Sequence, residues 1–215
     1  MHLLKSALPL ALLTGLFASC TSTPPTPNPE QTKKITGVFV NPHSAGSHDH
    51  FKAEPGYQKT YKVYKNQTVL SSGAPSRITI DLGLQRAVLY KGDEVAMDYP
   101  VSSGKRAFPT PPGSYRVLEK LKADKRSNLY GKIYDAEGNV HNSNADSTQD
   151  SIPEGGKFVG ASMPYWMRLT WGGIGMHRGD VPRYAASHGC VRTYSAAVST
   201  VYSQVRVGTP VSIVK

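Results

Sequence analysis

From Arg77 onward the chain alternates apolar and polar residues at the two-residue period of half-buried strands. Ile78, Ile80 and Leu82 fall on one face, and Ala87-Val88-Leu89-Tyr90 follows after a short break. Lys91-Gly92-Asp93-Glu94 supplies a hairpin turn, from which Val95 to Val101 reads as the returning strand. Thr110-Pro111-Pro112-Gly113 punctuates the chain before a further strand at Ser114 to Leu118. The apolar, aromatic stretch Met163 to Met176, with Gly172, Gly173 and Gly175 set in it, carries more strand structure. Near the end, Tyr194, Ala197, Val198, Val201, Tyr202 and Val205 recur at helical spacing, with Thr193 as the cap and Gly208 past the last turn. Thr209 to Val214 closes the chain as a strand, so the pattern predicts a mainly β domain with one clear C-terminal helix.

Two stretches lack such periodicity. Asp124 to Gly156 is rich in Asn, Asp, Ser and Gly and reads as a long loop or lid insertion, with room for a hairpin around Ala136-Glu137-Gly138-Asn139. Residues 35–76 form an annex of irregular structure with one or two short strands. Within it His43, His48, Asp49 and His50 match no metal-ligand spacing, and a solvated polar loop is the favoured reading.

The N-terminal apolar run is of another kind. Residues 1–19 carry Lys5, then Ala7 to Leu13, then small residues, which is the order of a signal peptide; the run is too short and too interrupted for a permanent membrane span. Small residues ahead of Cys20 resemble a bacterial lipoprotein cleavage box, which implies lipidation at Cys20. Residues 20–34 are a proline-rich polar linker suited to an extended tether. These segments predict an exported lipoprotein, anchored in a membrane through Cys20 and facing the periplasm or cell wall, in the outer membrane if the cell has two.

With Cys20 at the anchor, Cys190 is the other cysteine of the chain and no intrachain disulfide is expected despite an oxidising destination. The formal net charge of +10 favours anionic polymers or surfaces. Export argues against nucleic acid, and no obligate protein partner is evident.

Candidate chemistry concentrates in Gly175 to Arg192, where His177 and His188 bracket the spare thiol. A thiol is an effective nucleophile only as thiolate, and an imidazole can act as its base. His177 reaches the sulfur if its strand lies beside the loop bearing Cys190, and His188, two residues before Cys190, shares its side on an extended chain. Gly189 leaves room for backbone N–H groups to meet a developing oxyanion.

Ser187-His188-Gly189-Cys190-Val191-Arg192, preceded by Met176-His177-Arg178-Gly179, resembles the signature of the L,D-transpeptidase (YkuD-like) catalytic domain family. Further segments resemble family elements in the expected order: Ile78 to Asp81, Gln85 to Val88, Pro100 to Gly104, Thr110 to Tyr115 and Val207 to Val211. The resemblance covers residues 77–215 and implies a β-sandwich or barrel catalytic domain. It implies Cys190 as the acylated nucleophile, His177 as its base, and His188, Gly189 and Ser187 as the lining of the site. Arg192, Met176 and Gly175 would contact substrate. Many members have Asn at the position of Arg192 and an aliphatic residue at that of Thr193. The implied substrate is the peptide stem of peptidoglycan, with acyl transfer to an amine or to water and no metal or organic cofactor.

Other readings use the same residues. A zinc site of His177, His188 and Cys190 lacks an evident fourth ligand. A papain-like protease has its cysteine ahead of its histidine, the reverse of the order here. A wall-binding lipoprotein that keeps the fold without turnover would differ in thiol reactivity.

Overall fold

The alternating segments assemble into one ten-stranded sheet in a computed structural model that describes residues 44–215. The expected signal peptide, the expected lipidation at Cys20, the linker 20–34, residues 35–43 of the annex and with them His43 lie outside the described residues. The strands are β1 (Tyr64–Lys65), β2 (Ser76–Asp81), β3 (Arg86–Lys91), β4 (Glu94–Ser102), β5 (Gly113–Arg116), β6 (Glu119–Leu121), β7 (Arg126–Tyr134), β8 (Val140–Asp146), β9 (Lys157–Ser162), β10 (Trp166–Arg168), β11 (Gly175–Arg178), β12 (Val191–Thr193) and β13 (Pro210–Val214). The large sheet runs β5-β13-β2-β3-β4-β12-β11-β10-β6, with the short β1 on β4.

Strand β4 joins its two halves. It pairs antiparallel with β3 from Glu94 to Pro100, and its last residues, Val101 and Ser102, pair with Thr193 and Arg192 of β12. Val211 and Ile213 of β13, Leu89 and Met97 of the central strands, and Met167, Met176 and Val191 of β10 to β12 all share one buried cluster. A sheet that buries residues from so many of its strands together has curled around them. Each large side chain buried there contributes roughly 1.5–3 kcal/mol. Helix α3 (Ser195–Gln204) closes this core with Ala197 and Val201.

The mainly β domain and the C-terminal helix agree with the sequence pattern, and three details differ. Thr193 is fully buried in β12, and the helix cap is Tyr194, whose side chain makes no capping bond. Asp124 to Gly156 is not a structureless loop: β7 and β8 form the hairpin around residues 135–139, and with β9 they make a second, three-stranded sheet in the order β8-β7-β9.

The third difference is the annex, which holds two short α-helices and a 3-10 turn at Tyr57–Lys59 besides β1. Helix α1 (His48–Ala53) is capped by Ser47 and α2 (Gln67–Leu70) by Asn66. His48 is not part of a solvated loop, because its Nε2 donates to Asp98 Oδ2 at 2.7 Å. Tyr57 donates to the same oxygen at 2.7 Å, and Arg86 Nε donates to Oδ1 at 2.7 Å. Arg86 also donates to the carbonyls of Thr60 and Lys62, so one buried guanidinium and one buried carboxylate fasten the annex to the sheet.

Candidate active site

Strands β11 and β12 are parallel neighbours, with Met176 opposite Val191 and His177 opposite Arg192. Alternation along a strand therefore sends Met176 and Val191 to the core, where both are fully buried, and His177 and Arg192 to the other face. Cys190, immediately before β12, falls on the face of Arg192. The rise and spacing of such strands put the Cα atoms of His177 and Cys190 about 8 Å apart on a diagonal, near enough for a thiol and an imidazole that lean together. Both open on one cavity of about 690 Å³ that Ser187, His188 and Arg192 also line.

The register corrects one expectation. Met176 has no exposed surface and belongs to the core, so its side chain cannot contact substrate. Gly175 is likewise buried, and a Cβ there would meet the Trp166 ring at 2.4 Å, so its lack of a side chain admits Trp166.

His177 is held in one tautomer. Its Nδ1 donates to the carbonyl of Arg178 at 2.7 Å, which leaves Nε2 as the nitrogen able to accept a proton. Burial pushes its pKa down to about 4 against the hydrogen bond to Arg178, and the positive Arg192 pushes the same way. The imidazole is accordingly neutral at pH 7. Burial raises the Cys190 thiol above its usual value, opposed by the Gly175 backbone hydrogen bond and by the charges of Arg192 and Lys125. The thiol contacts the Gly173 carbonyl at 3.5 Å. Both groups are therefore uncharged at rest, the thiol on the Gly173 carbonyl and the imidazole on that of Arg178.

The loop before Cys190 is braced from outside. Ala186 and Ser187 N–H groups both donate to the Ser103 carbonyl at 2.9 Å, and Lys105 N–H donates to the Ser187 carbonyl at 2.9 Å. Thr110 Oγ1 accepts from Gly104 N–H at 2.8 Å and donates to the Gly189 carbonyl at 2.7 Å. Gly189 has φ +104° and its Cα lies against Gly104, where a Cβ on Gly104 would stand 2.9 Å away. Ser187 Oγ bonds the Cys190 carbonyl and accepts from Gly189 N–H at 3.2 Å. This last bond corrects a second expectation: Gly189 N–H is engaged inside the loop instead of facing an oxyanion.

His188 is a wall of the cavity. Its ring stacks on Tyr130 of β7 at 4.7 Å and lies 4.8 Å from Phe108, while burial and the neighbouring Lys105 lower its pKa. Tyr130 thereby ties the small sheet to the site, a contact that sequence reasoning missed along with the bracing role of Thr110. Among the described residues no three His, Cys, Asp or Glu side chains are grouped to hold a metal, and no helix is long and apolar enough to cross a membrane.

The model of the YkuD L,D-transpeptidase catalytic domain matches residues 75–213, which is most of the chain and includes every residue of this site. The chain belongs to that family. No curated protein sequence matches it. Solved structures of L,D-transpeptidases resemble this family member at low identity. One from Mycobacterium smegmatis is 23% identical over 66% of this chain and 60% of its own, with a TM-score of 0.49. One from Xylanimonas cellulosilytica is 23% identical over 67% and 62%, with a TM-score of 0.47. The catalytic domain of the E. faecium enzyme is 27% identical over 65% and 96%, with a TM-score of 0.44. The chain spans less than two thirds of the length of the Mycobacterium smegmatis protein.

Proposed function

We propose that this family member is a peptidoglycan L,D-transpeptidase with Cys190 as nucleophile and His177 as base. The observation that carries this reading is that His177 on β11 and Cys190, at the entry to the parallel neighbour β12, open to one cavity. The Cys190 thiol gives its proton to His177 Nε2 as the sulfur attacks the carbonyl that follows the L-centre of a stem's diamino acid. The S–C bond forms, the C–N bond to the terminal D-alanine breaks, and the proton on His177 passes to the departing amine. An amine of a neighbouring stem then attacks the thioester and yields a 3-3 cross-link, or water releases a shortened stem.

His188 walls the cavity, Ser187 and Gly189 shape the loop that presents the sulfur, and Arg192 flanks it with positive charge. The chemistry draws on the chain's own thiol and imidazole. Export and a lipid at Cys20 would hold the enzyme at a membrane with its catalytic domain facing the wall.

Mass spectrometry of the purified protein incubated with disaccharide-tetrapeptide fragments tests the reading. The expected result is loss of D-alanine with a new cross-linked dimer, both absent for Cys190→Ala. Loss without a dimer would assign hydrolysis. No change with either protein would favour a wall-binding protein without turnover.

A further inference from the structure

The cavity is unevenly charged. Lys125, Arg126, Arg168, Arg178 and Arg192 line it against one carboxylate, Asp180. Arg168 is engaged by Glu119 at 3.3 Å, but Lys125, Arg126, Arg178 and Arg192 form no ion pair among the described residues. Burying or crowding like charges around one opening is unfavourable unless something anionic occupies it. The positive field reaches the reacting atoms, since Arg192 and Lys125 both act on the Cys190 thiol and Arg192 on His177.

The cations come from separate elements. Lys125 and Arg126 stand at the entry to β7, whose sheet flanks the cavity, while Arg178 ends β11 and Arg192 lies in the middle of its neighbour β12. Arg192 is seated by Gly179, where a Cβ would press on its stem at 2.9 Å. Arg126 Nη1 donates to the Gly160 carbonyl at 2.9 Å, which holds one arm of its fork and leaves the other donors free.

We infer that this site selects a donor stem whose carboxylates are free, and that Arg126 and Arg178, which line the cavity from β7 and β11, are specificity-determining residues for them. The inference rests on the transpeptidase reading for the nature of the donor. A guanidinium fork binds a carboxylate through paired charge-assisted hydrogen bonds, and a carboxamide in its place loses the charge and one acceptor. A stem with free acids beside its scissile carbonyl matches four unpaired cations; its amidated form leaves them uncompensated.

Binding separates this inference from turnover. Calorimetry on the full-length Cys190→Ser protein would compare the tetrapeptide L-Ala-γ-D-Glu-meso-diaminopimelyl-D-Ala with the same peptide carrying carboxamides on its glutamyl and diaminopimelyl acids. The expected result is at least tenfold tighter binding of the free acid, with the margin shrinking as salt rises. Arg126→Gln together with Arg178→Gln should bring the margin below threefold, and Arg126→Lys should restore part of it. Unchanged iodoacetamide alkylation in the double variant with Cys190 retained would establish an intact fold. Equal affinity of wild-type sites for both peptides, or a margin that survives the double substitution, would overturn the inference. Absence of turnover with this margin intact would instead count against the transpeptidase reading alone.

Discussion

His177 has the environment that most restricts its chemistry. Because its pKa is lowered to about 4, it stays able to accept a proton well below neutral pH. The acid limb of kcat/KM should therefore lie near pH 4 to 5; a limb near 6.5 would mean a differently placed base. His177→Ala should reduce kcat by roughly 100-fold or more and flatten the pH dependence of thiol alkylation. The same shift bears on folding. The unfolded imidazole binds its proton more readily, so the contribution of neutral His177 to stability is complete above about pH 6.5 and disappears as pH falls to about 4. Thr193 offers a test of another kind, since its Oγ1 is buried without a partner. Thr193→Val should raise stability by about 1 kcal/mol in denaturant unfolding, and a loss of that size would mean the hydroxyl has a partner.

At the scale of elements, the site depends on a brace that the chain builds from distant segments. Gln85, at φ +51°, accepts from Ser103 N–H at 2.8 Å and donates to Ser103 Oγ at 2.8 Å, and Ser103 in turn holds the loop leading to Cys190. Gly104 completes the brace because a Cβ there would lie 2.1 Å from the Phe108 carbonyl oxygen and 2.8 Å from Thr110 N. Gly104→Ala should cost about 3 kcal/mol and remove activity, whereas Gly73→Ala, which meets nothing within 4 Å, should leave both nearly unchanged; thermal melts and turnover decide it. Sequence alternation made β2 to β4 legible because one face of each is buried. It could not reveal β7 to β9, whose residues are exposed on both faces for much of their length and so carry no two-residue signal. The helices α1 and α2 were equally hidden, at six and four residues, because neither completes the two turns that a helical period needs. The motif placed Cys190, His177 and His188 together, but Met176 was misread because a motif does not say which of two alternating faces a residue takes.

Across the whole molecule, the annex and the sheet are joined through Asp98. Burial pushes that carboxyl up, yet the hydrogen bond from His48, the charge of Arg86 and the hydrogen bond from Tyr57 together hold it below the usual carboxylate value. Its contribution to stability is thus present above the ordinary carboxylate range and lost as pH falls through the lowered value. Asp98→Asn leaves Arg86 as an uncompensated buried charge and should cost about 3–5 kcal/mol by urea unfolding, with the annex becoming protease-sensitive. A cost below about 1 kcal/mol would show that the annex is held by other contacts. No local pattern predicted this joint, since His48 and Asp98 are separated by 50 residues.

As the proposed nucleophile, Cys190 would carry the acyl group between donor and acceptor. Intact-protein mass spectrometry after brief mixing with tetrapeptide stem, in the absence of an amine acceptor, tests it most directly. The expected product is an adduct of the stem less D-alanine, mapped to Cys190, labile to hydroxylamine and missing in Cys190→Ser. Turnover retained in Cys190→Ser, or an adduct mapped to any other residue, would contradict it.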